Sequence, residues 1–300
     1  MSLTLRGAAA LVRPDGLPYE PDEALLTYHR DLLAPYGIEV DEDLLKQSRN
    51  IGFRELAEEL MDRCPSPFGP PDLLILAYAL PDRYPVKTVT TRLNALFGGR
   101  SHSFALSEQG LQAPFTALRV ADAYTRSGRK SSLALFVCEQ TTLPYRDPLV
   151  HDTPLLDSGV LLYFDTDTDT DTDTDTDTDT DTDTDTRSGF RFTATRAAGA
   201  DVPLGDLLAD HRAALPPGPT LLVVGPWPAD DQLSGVDLPV HRCQPGGYCT
   251  SVWLDLARHH EEWATRYANL VLCDTDPRTG RSQLAVLSSA GAPERREARL

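Results

Sequence analysis

The sequence predicts an α/β layered domain built from two similar halves, and three observations predict it. Continuous apolar runs alternate with segments of helical period, which is typical of strands covered on both faces. This alternation occurs once on each side of an Asp-Thr tract at 165–186, and each half ends in a pair of strands. A chain of 300 residues, 41% of them hydrophobic, is long enough to bury a substantial core.

The N-terminal half, residues 1–164, is predicted to alternate helices and strands. Apolar residues at helical spacing predict helices over 21–36 and 53–63. The apolar run at 73–79 predicts a buried strand, since strands covered on both faces have this composition. A helix at 86–97, a short strand at 103–106, a long helix at 114–127 and a strand at 133–138 are predicted next.

The C-terminal half, residues 187–300, repeats this order in shorter form. A helix over 204–215, a buried strand over 220–224 and a helix over 251–267 are predicted from their periodicity. Strands at 270–273 and 283–287 close the half, joined by a turn that contains Pro277 and Gly280.

The tract at 165–186 separates the halves. Its eleven Asp-Thr dipeptides carry eleven of the negative charges, so the net charge of −17 becomes −6 without them. With no apolar residue and many like charges, the tract is predicted to be an extended, solvated loop. The flanking segments 158–164 and 189–195 have strand composition, so the tract is predicted to expand a hairpin loop. A repeat expansion is favoured over calcium binding because the tract lacks glycine turns.

Several classes of protein are excluded by composition. No basic stripe is present, which argues against a nucleic-acid partner. No apolar run is long enough to cross a bilayer, and residues 1–13 lack the apolar region of a signal peptide. We therefore predict a cytoplasmic protein that acts away from membranes.

The cysteines and histidines do not form a metal-binding pattern in the sequence. Five cysteines without a framework spacing indicate reduced, mostly buried thiols. Cys243 and Cys249 are six residues apart with no second cysteine pair, which argues against zinc. The run His259-His260-Glu261-Glu262 lacks two histidines four residues apart and indicates a solvated helix face. We predict no metal and no cofactor.

A series of short motifs occupies the segment 72–160. A strand ends in Ala-Leu-Pro-Asp at 79–82, and the sequence Gln-Gly-Leu-Gln-Ala-Pro-Phe-Thr-Ala-Leu covers 109–118. A helix then ends in Ser-Gly at 127–128, a strand ends in Glu139, and Leu-Asp-Ser-Gly-Val covers 156–160. In kind and order these motifs resemble the ketoacyl synthase III and chalcone synthase branch of the thiolase-like condensing enzymes. The resemblance implies a thiolase-like layered α-β-α-β-α fold of two similar halves, with the C-terminal half shortened.

The resemblance also implies a site and identifies what is missing from it. In such enzymes a cysteine at the start of a buried helix is acylated, while a histidine and an asparagine from the C-terminal half assist. Here the nucleophile position is occupied by Leu111, or by Gly110 if the motif is counted from Phe104. The histidine position lies near Gly225 and the asparagine position near Gly246. The resemblance therefore implies a degenerate copy without the nucleophilic cysteine and without a catalytic residue.

Three other residues are weak alternatives for chemistry. Gln109 is one, because some relatives carry glutamine at the cysteine position and only decarboxylate, but it matches the family's own glutamine more simply. Glu108 could act as an acid or base, although its context indicates a loop. Cys138 ends an apolar strand, which favours a structural thiol.

A degenerate copy of such an enzyme implies a partner. The resemblance implies a non-catalytic subunit, not an enzyme on its own, that forms a heterodimer with an active, cysteine-bearing ketoacyl synthase III-like protein. It would help to shape the acyl pocket in fatty-acid-like, polyketide or quinolone-type secondary metabolism, and would meet acyl carrier protein or acyl-CoA through that partner. Two alternatives stay open: an acyltransferase or decarboxylase with a non-standard site, and a stand-alone acyl-binding scaffold.

Overall fold

The computed structural model describes residues 2–64, 69–166 and 189–289. The strands and helices of the N-terminal half are β1 (Leu3–Arg13), α1 (Glu23–Leu33), α2 (Glu42–Gln47), α3 (Phe53–Arg63), β2 (Leu73–Ala77), α4 (Val89–Leu96), β3 (His102–Leu106), α5 (Ala113–Arg126), β4 (Ser132–Glu139), α6 (Pro148–His151) and β5 (Asp157–Thr166). Those of the C-terminal half are β6 (Phe190–Ala198), α7 (Leu204–Arg212), β7 (Thr220–Val224), β8 (Val240–Arg242), α8 (Ser251–Ala264), β9 (Asn269–Thr275) and β10 (Ser282–Ser289).

The two halves repeat the same arrangement of strands. The strand order is β3-β2-β4-β5-β1 in one half and β8-β7-β9-β10-β6 in the other, and the two sets are continuous through β1 and β6. In each half the first two pairings of that order are parallel and the last two are antiparallel. The prediction of two similar halves is therefore confirmed, strand for strand.

Alternate residues along the strands separate the structure into layers. In β2, Leu73 and Ile75 face a large core that also contains α5 and α8, whereas Leu74 faces α3 and α4 on the other side. In β7, Leu221 faces the same central core and Leu222 faces α7. The order of layers is therefore helix, sheet, helix, sheet, helix, with α5 and α8 in the central layer.

Aspartate side chains define the starts of several helices. Asp22 accepts the Leu25 N–H at 3.0 Å, and Asp41 accepts the Leu44 N–H at 2.9 Å. Capping of this kind satisfies N–H groups that have no partner within the helix, which explains why α1 and α2 begin where they do.

The predicted elements are present with small shifts at their ends, but one expectation fails. The predicted hairpin across the Asp-Thr tract is wrong, because β1 lies between β5 and β6 and pairs antiparallel with both. The central strand β1 was not predicted at all. Asp165 and Thr166 belong to β5, and the rest of the predicted Asp-Thr loop lies outside the described residues.

The C-terminal half is shortened in its outer layer. Helices α1, α2 and α3 lie between β1 and β2, whereas α7 is the helix between β6 and β7 in the described part of the chain. Among the described residues, no helix has the length and apolar composition needed to cross a bilayer.

Candidate functional site

The loop between β3 and α5 contains Gly110 and leads to Leu111, the residues that the resemblance predicts at the nucleophile position. Glu108 and Gly110 both have positive φ, of 61° and 53°, so the chain turns sharply after β3. A short 3₁₀ turn, Gly110–Gln112, then leads into α5, whose first turn contains Pro114. Proline is tolerated there because the first helical N–H groups have no partner within the helix. Leu111 is 1% exposed and belongs to the central core.

The surroundings of Leu111 are closed by side chains of the C-terminal half. The Tyr248 hydroxyl donates to Asp276 Oδ2 at 2.9 Å, and the Leu111 N–H points to the same oxygen at 3.4 Å. A Cβ atom on Gly110 would lie 2.5 Å from that oxygen and 2.7 Å from the Tyr248 hydroxyl. We call Gly110, Leu111, Trp227, Tyr248 and Asp276 the closed site, because Tyr248 and Asp276 leave no room for a methyl group on Gly110.

Trp227 lies in the loop after β7 and forms the outer side of the closed site. Its indole N–H donates to the Gly247 carbonyl at 3.2 Å, and its ring centroid lies 6.1 Å from that of Tyr248. Burial, together with the Asp276 carboxylate, raises the pKa of the Tyr248 phenol far above its ordinary value. Tyr248 therefore stays protonated and acts as a hydrogen-bond donor.

Gly225 and Gly246, which the resemblance predicts near the histidine and asparagine positions, differ in their surroundings. A Cβ atom on Gly246 would meet its nearest neighbour, Leu156, at 3.6 Å, an ordinary contact distance. A Cβ atom on Gly225 would collide with the Asp274 carboxylate, so a histidine there would displace Asp274. Asp274 accepts the Ser251 hydroxyl at 2.6 Å, and burial raises its pKa to about 7. Gly246 accepts the Leu156 N–H at 2.9 Å through its carbonyl.

Glu139 belongs to the N-terminal half and fixes the start of α8 in the C-terminal half. Its fully buried carboxylate accepts the Tyr248 N–H at 2.8 Å and the Cys249 N–H at 2.6 Å. Burial raises the pKa of Glu139 to about 7, although the backbone donors oppose the rise. Glu139 contacts the approach to α8 and Asp276 contacts the approach to α5, so each half holds the central helix of the other.

The three weak alternatives lie in different surroundings. Glu108 is exposed in the loop before α5, and the carbonyl of half-buried Gln109 accepts the Gln112 N–H at 3.1 Å. Cys138 is fully buried on the outer face of the N-terminal sheet, away from α5. Burial raises the pKa of the Cys138 thiol far above its ordinary value, which disfavours the nucleophilic thiolate.

A cavity of about 420 Å³ lies in the N-terminal half between α1 and the segments 81–85 and 142–145. We call it the N-half cavity. His29 Nδ1 and Asn50 Oδ1 are buried in its wall with no hydrogen-bond partner. Burial lowers the pKa of His29, so its imidazole is neutral at physiological pH. The sequence predicted α1 but not the cavity, because its other walls come from loops distant in the chain.

One group of metal-ligand side chains was also missed by the sequence analysis. His241, Cys243 and Asp255 lie together beside α8, with their ligand atoms all within 4.8 Å of one another. The sequence signal is a histidine in a strand with a cysteine two residues later, directly after the strand, a spacing that favours one side for both side chains.

No protein-family model and no curated protein sequence matches the chain. Solved structures do match over almost its whole length. The 3-oxoacyl-(acyl carrier protein) synthase III of Pseudomonas aeruginosa is 14% identical with a TM-score of 0.61, and the match covers 96% of this chain and 98% of that one. The corresponding synthase from Aquifex aeolicus is 13% identical with a TM-score of 0.56, covering 95% and 99%. A variant of Xanthomonas campestris OleA is 10% identical with a TM-score of 0.58, covering 96% and 98%.

At these identities the matches establish architecture and not activity. The chain has the thiolase-like fold of the ketoacyl synthase III and OleA condensing enzymes.

Proposed function

We propose that this chain is a non-catalytic ketoacyl synthase III-like subunit. It forms a heterodimer with an active, cysteine-bearing condensing enzyme and helps to shape the acyl pocket of that partner in fatty-acid-like, polyketide or quinolone-type biosynthesis. The closed site carries the proposal. Leucine stands at the nucleophile position, and Tyr248 and Asp276 pack against the adjacent Gly110, so a thioester has neither a nucleophile nor space.

The edge strand β3 offers a surface for the partner. The His102 N–H donates to the Asp72 carbonyl at 2.9 Å, and the Leu106 carbonyl accepts the Tyr78 N–H at 3.1 Å. Because backbone groups alternate in direction along a parallel strand, those of Ser103 and Ala105 point away from β2. This row of outward backbone groups can pair with a strand of another chain.

Aromatic side chains flank this edge. The ring centroid of His102 lies 5.6 Å from those of both Phe104 and Tyr124, and these three side chains are exposed or half-buried. Aromatic residues are enriched in protein–protein interfaces, because they bury a large area with little loss of side-chain freedom. The aromatic group and the outward backbone groups together support a partner at β3.

The proposal is tested by co-expression with a condensing enzyme encoded beside this gene. A complex of one copy of each chain is expected in size-exclusion chromatography with light scattering. Ala105→Pro removes an outward N–H without removing a β2–β3 hydrogen bond, and is expected to abolish the complex. A stable complex that persists unchanged in Ala105→Pro would contradict pairing through β3.

The opposite edge of the sheet provides the matched control. Leu222 N–H donates to the Pro239 carbonyl and Cys243 N–H to the Val224 carbonyl, so the backbone groups of Val240 point outward from β8. Val240→Pro therefore makes the same chemical change at the C-terminal edge. It is expected to leave the complex intact.

The N-half cavity favours a second candidate, the stand-alone acyl-binding scaffold. Its apolar wall includes Leu25 and Leu33, and the unpartnered atoms of His29 and Asn50 could bind a polar head group. Native mass spectrometry of the chain alone with lauric acid tests this candidate. One retained molecule, lost in Leu33→Trp but kept in a variant of exposed Leu96, would support it.

An acyltransferase or decarboxylase with a non-standard site predicts turnover by the chain alone. That turnover would disappear on changing Gln109, Glu108 or Cys138. The burial of Cys138 and the exposure of Glu108 give this alternative no support.

A further inference from the structure

The strand β8 and the helix α8 face each other with ligand-type side chains. His241 lies in β8 and Cys243 follows directly after the strand, and both side chains lie beside Asp255 of α8. Asp255, His259 and Trp263 follow at four-residue spacing on one face of α8. The His241 ring centroid lies 5.1 Å from that of Trp263 and 5.8 Å from that of His259, which confirms that these faces meet.

The geometry of the group is compact. His241 Nε2 lies 2.8 Å from Asp255 Oδ2, while Arg258 Nη1 lies 3.3 Å from the other oxygen, Oδ1. Cys243 is 3% exposed and Asp255 is 9% exposed, whereas His241 is half-buried. One nitrogen, one sulfur and one oxygen ligand atom therefore lie within 4.8 Å of one another, and solvent reaches the group at His241.

We propose that His241, Cys243 and Asp255 bind a zinc ion. Imidazole, thiolate and carboxylate are the ligand types that zinc takes in proteins, and a set that includes sulfur disfavours magnesium and calcium. A tetrahedral site, in which each ligand atom lies about 2.0–2.3 Å from the metal, places the ligand atoms about 3.3–3.7 Å from one another. His241 Nε2 and Asp255 Oδ2 therefore move apart from 2.8 Å, and all three ligand atoms already lie within 4.8 Å of one another. The site lies outside the closed site and does not depend on the proposed function.

A fourth ligand is available from two sources. His259 lies one helical turn after Asp255 and already contacts the His241 ring, so a rotation of its side chain could bring it to the metal. Water is the other source, because a cavity of about 220 Å³ is lined by Cys243, Asp255 and Arg258. A water ligand would leave one coordination position open for exchange.

Binding exchanges the contacts of the metal-free group for metal bonds. The hydrogen bond between His241 Nε2 and Asp255 Oδ2 gives way, so that both atoms can face the metal. The Cys243 thiol gives its proton to solvent as the sulfur–zinc bond forms.

The test uses the tag-free full chain, stripped with a chelator and dialysed against zinc. About one zinc ion per chain is expected by elemental analysis. Titration with cobalt is expected to give a thiolate-to-cobalt charge-transfer band, because Cys243 supplies sulfur. Cys243→Ser and His241→Ala should each weaken binding by at least about 100-fold, since even outer partners of metal sites contribute about 10–100-fold.

Controls separate this site from general effects of cysteine and histidine loss. Cys64→Ser and His211→Ala lie outside the group and are expected to bind as the unmodified chain does. Circular dichroism establishes that each variant is folded. His241 is half-buried, so His241→Ala decides the question if Cys243→Ser fails to fold. Absence of zinc and of the cobalt band, or unchanged binding in His241→Ala, would overturn the proposal.

Discussion

The two halves share a strand order but differ in what surrounds it. The outer side of the N-terminal half carries α1, α2 and α3 and encloses the N-half cavity with its two unpartnered polar atoms. The described C-terminal half has α7 in the corresponding outer layer. Its Tyr248 and Asp276 fill the space beside Gly110, and its Asp274 fills the space beside Gly225. Both halves therefore keep the same sheet, but side chains of the C-terminal half fill the closed site whereas the N-terminal half encloses a cavity.

A reciprocal contact joins the halves across this difference. Glu139 of one half accepts two N–H groups before α8, and Asp276 of the other faces the Leu111 N–H before α5. Both central helices therefore depend on a buried carboxyl group from the opposite half. Substitutions at the two contacts measure how far their contributions to the free energy of unfolding differ.

The largest effect is expected at Glu139. Glu139→Ala leaves the Tyr248 and Cys249 N–H groups buried without an acceptor and should lower the free energy of unfolding by about 3 kcal/mol or more. Glu139→Gln keeps an acceptor and should cost less. Chemical denaturation measures both, with exposed Glu261→Ala as the control. Equal stability of Glu139→Ala and that control would show that this contact is not structural.

The second prediction concerns pH. Burial raises the folded-state pKa of Glu139 and of Asp274 to about 7, above the ordinary values of 4.5 and 3.8. The folded state therefore holds more protons than the unfolded state in this window, and the free energy of unfolding should fall as pH rises from about 5 to about 8. This contribution is fully present below the ordinary values and is lost as pH passes through about 7.

Denaturation at several pH values measures this slope. The double variant Glu139→Gln with Asp274→Asn is expected to have a flatter profile than the unmodified chain, because neither side chain titrates. A profile that is unchanged by the double variant would contradict the assignment of the slope to these two groups.

A smaller effect is expected in the closed site. Tyr248→Phe removes one donor from the buried oxygen of Asp276 and should lower the free energy of unfolding by about 1–2 kcal/mol. Tyr36→Phe is the matched control, since Tyr36 is 76% exposed. Equal unfolding midpoints for the two variants would show that the Tyr248–Asp276 hydrogen bond does not hold the site closed.

The smallest effect is expected from restoring the nucleophile. Leu111→Cys should remain unacylated by acyl-CoA in intact-mass measurements, because Tyr248 and Asp276 pack at this point and no histidine is available to favour the thiolate. Leu93→Cys, a fully buried leucine of α4 outside both the closed site and the N-half cavity, is the control for non-specific thiol reaction. Stoichiometric acylation of Leu111→Cys would show that the site is open.

The local sequence pattern predicted which helices and strands form better than it predicted which strands pair. The helix α3 and the strand β7 were predicted with the bounds they have, because each is strongly periodic or continuously apolar. The hairpin was wrong because β1 separates β5 from β6, and pairing across a sheet depends on contacts distant in the chain. An alanine-rich run such as Ala8–Ala10 carries little strand propensity, so β1 was missed.

The surroundings of the candidate site could not be predicted for the same reason. That Leu111, Gly225 and Gly246 correspond to the catalytic positions stays a prediction from the resemblance, and the side chains around them come from other segments. Tyr248 and Asp276 carry no sequence signal of their role, since each acts on a residue far away in the chain. The His241, Cys243 and Asp255 group was missed because its members come from two elements that meet only in the fold.

The most direct measurement compares acylation of the two chains of the proposed heterodimer. The chain alone and the purified complex are incubated with acyl-CoA, and the intact mass of each chain is recorded. We expect an acyl adduct only on the partner chain of the complex, and none on this chain in either sample. Stoichiometric acylation of this chain at one residue would contradict the central claim that it is a non-catalytic subunit.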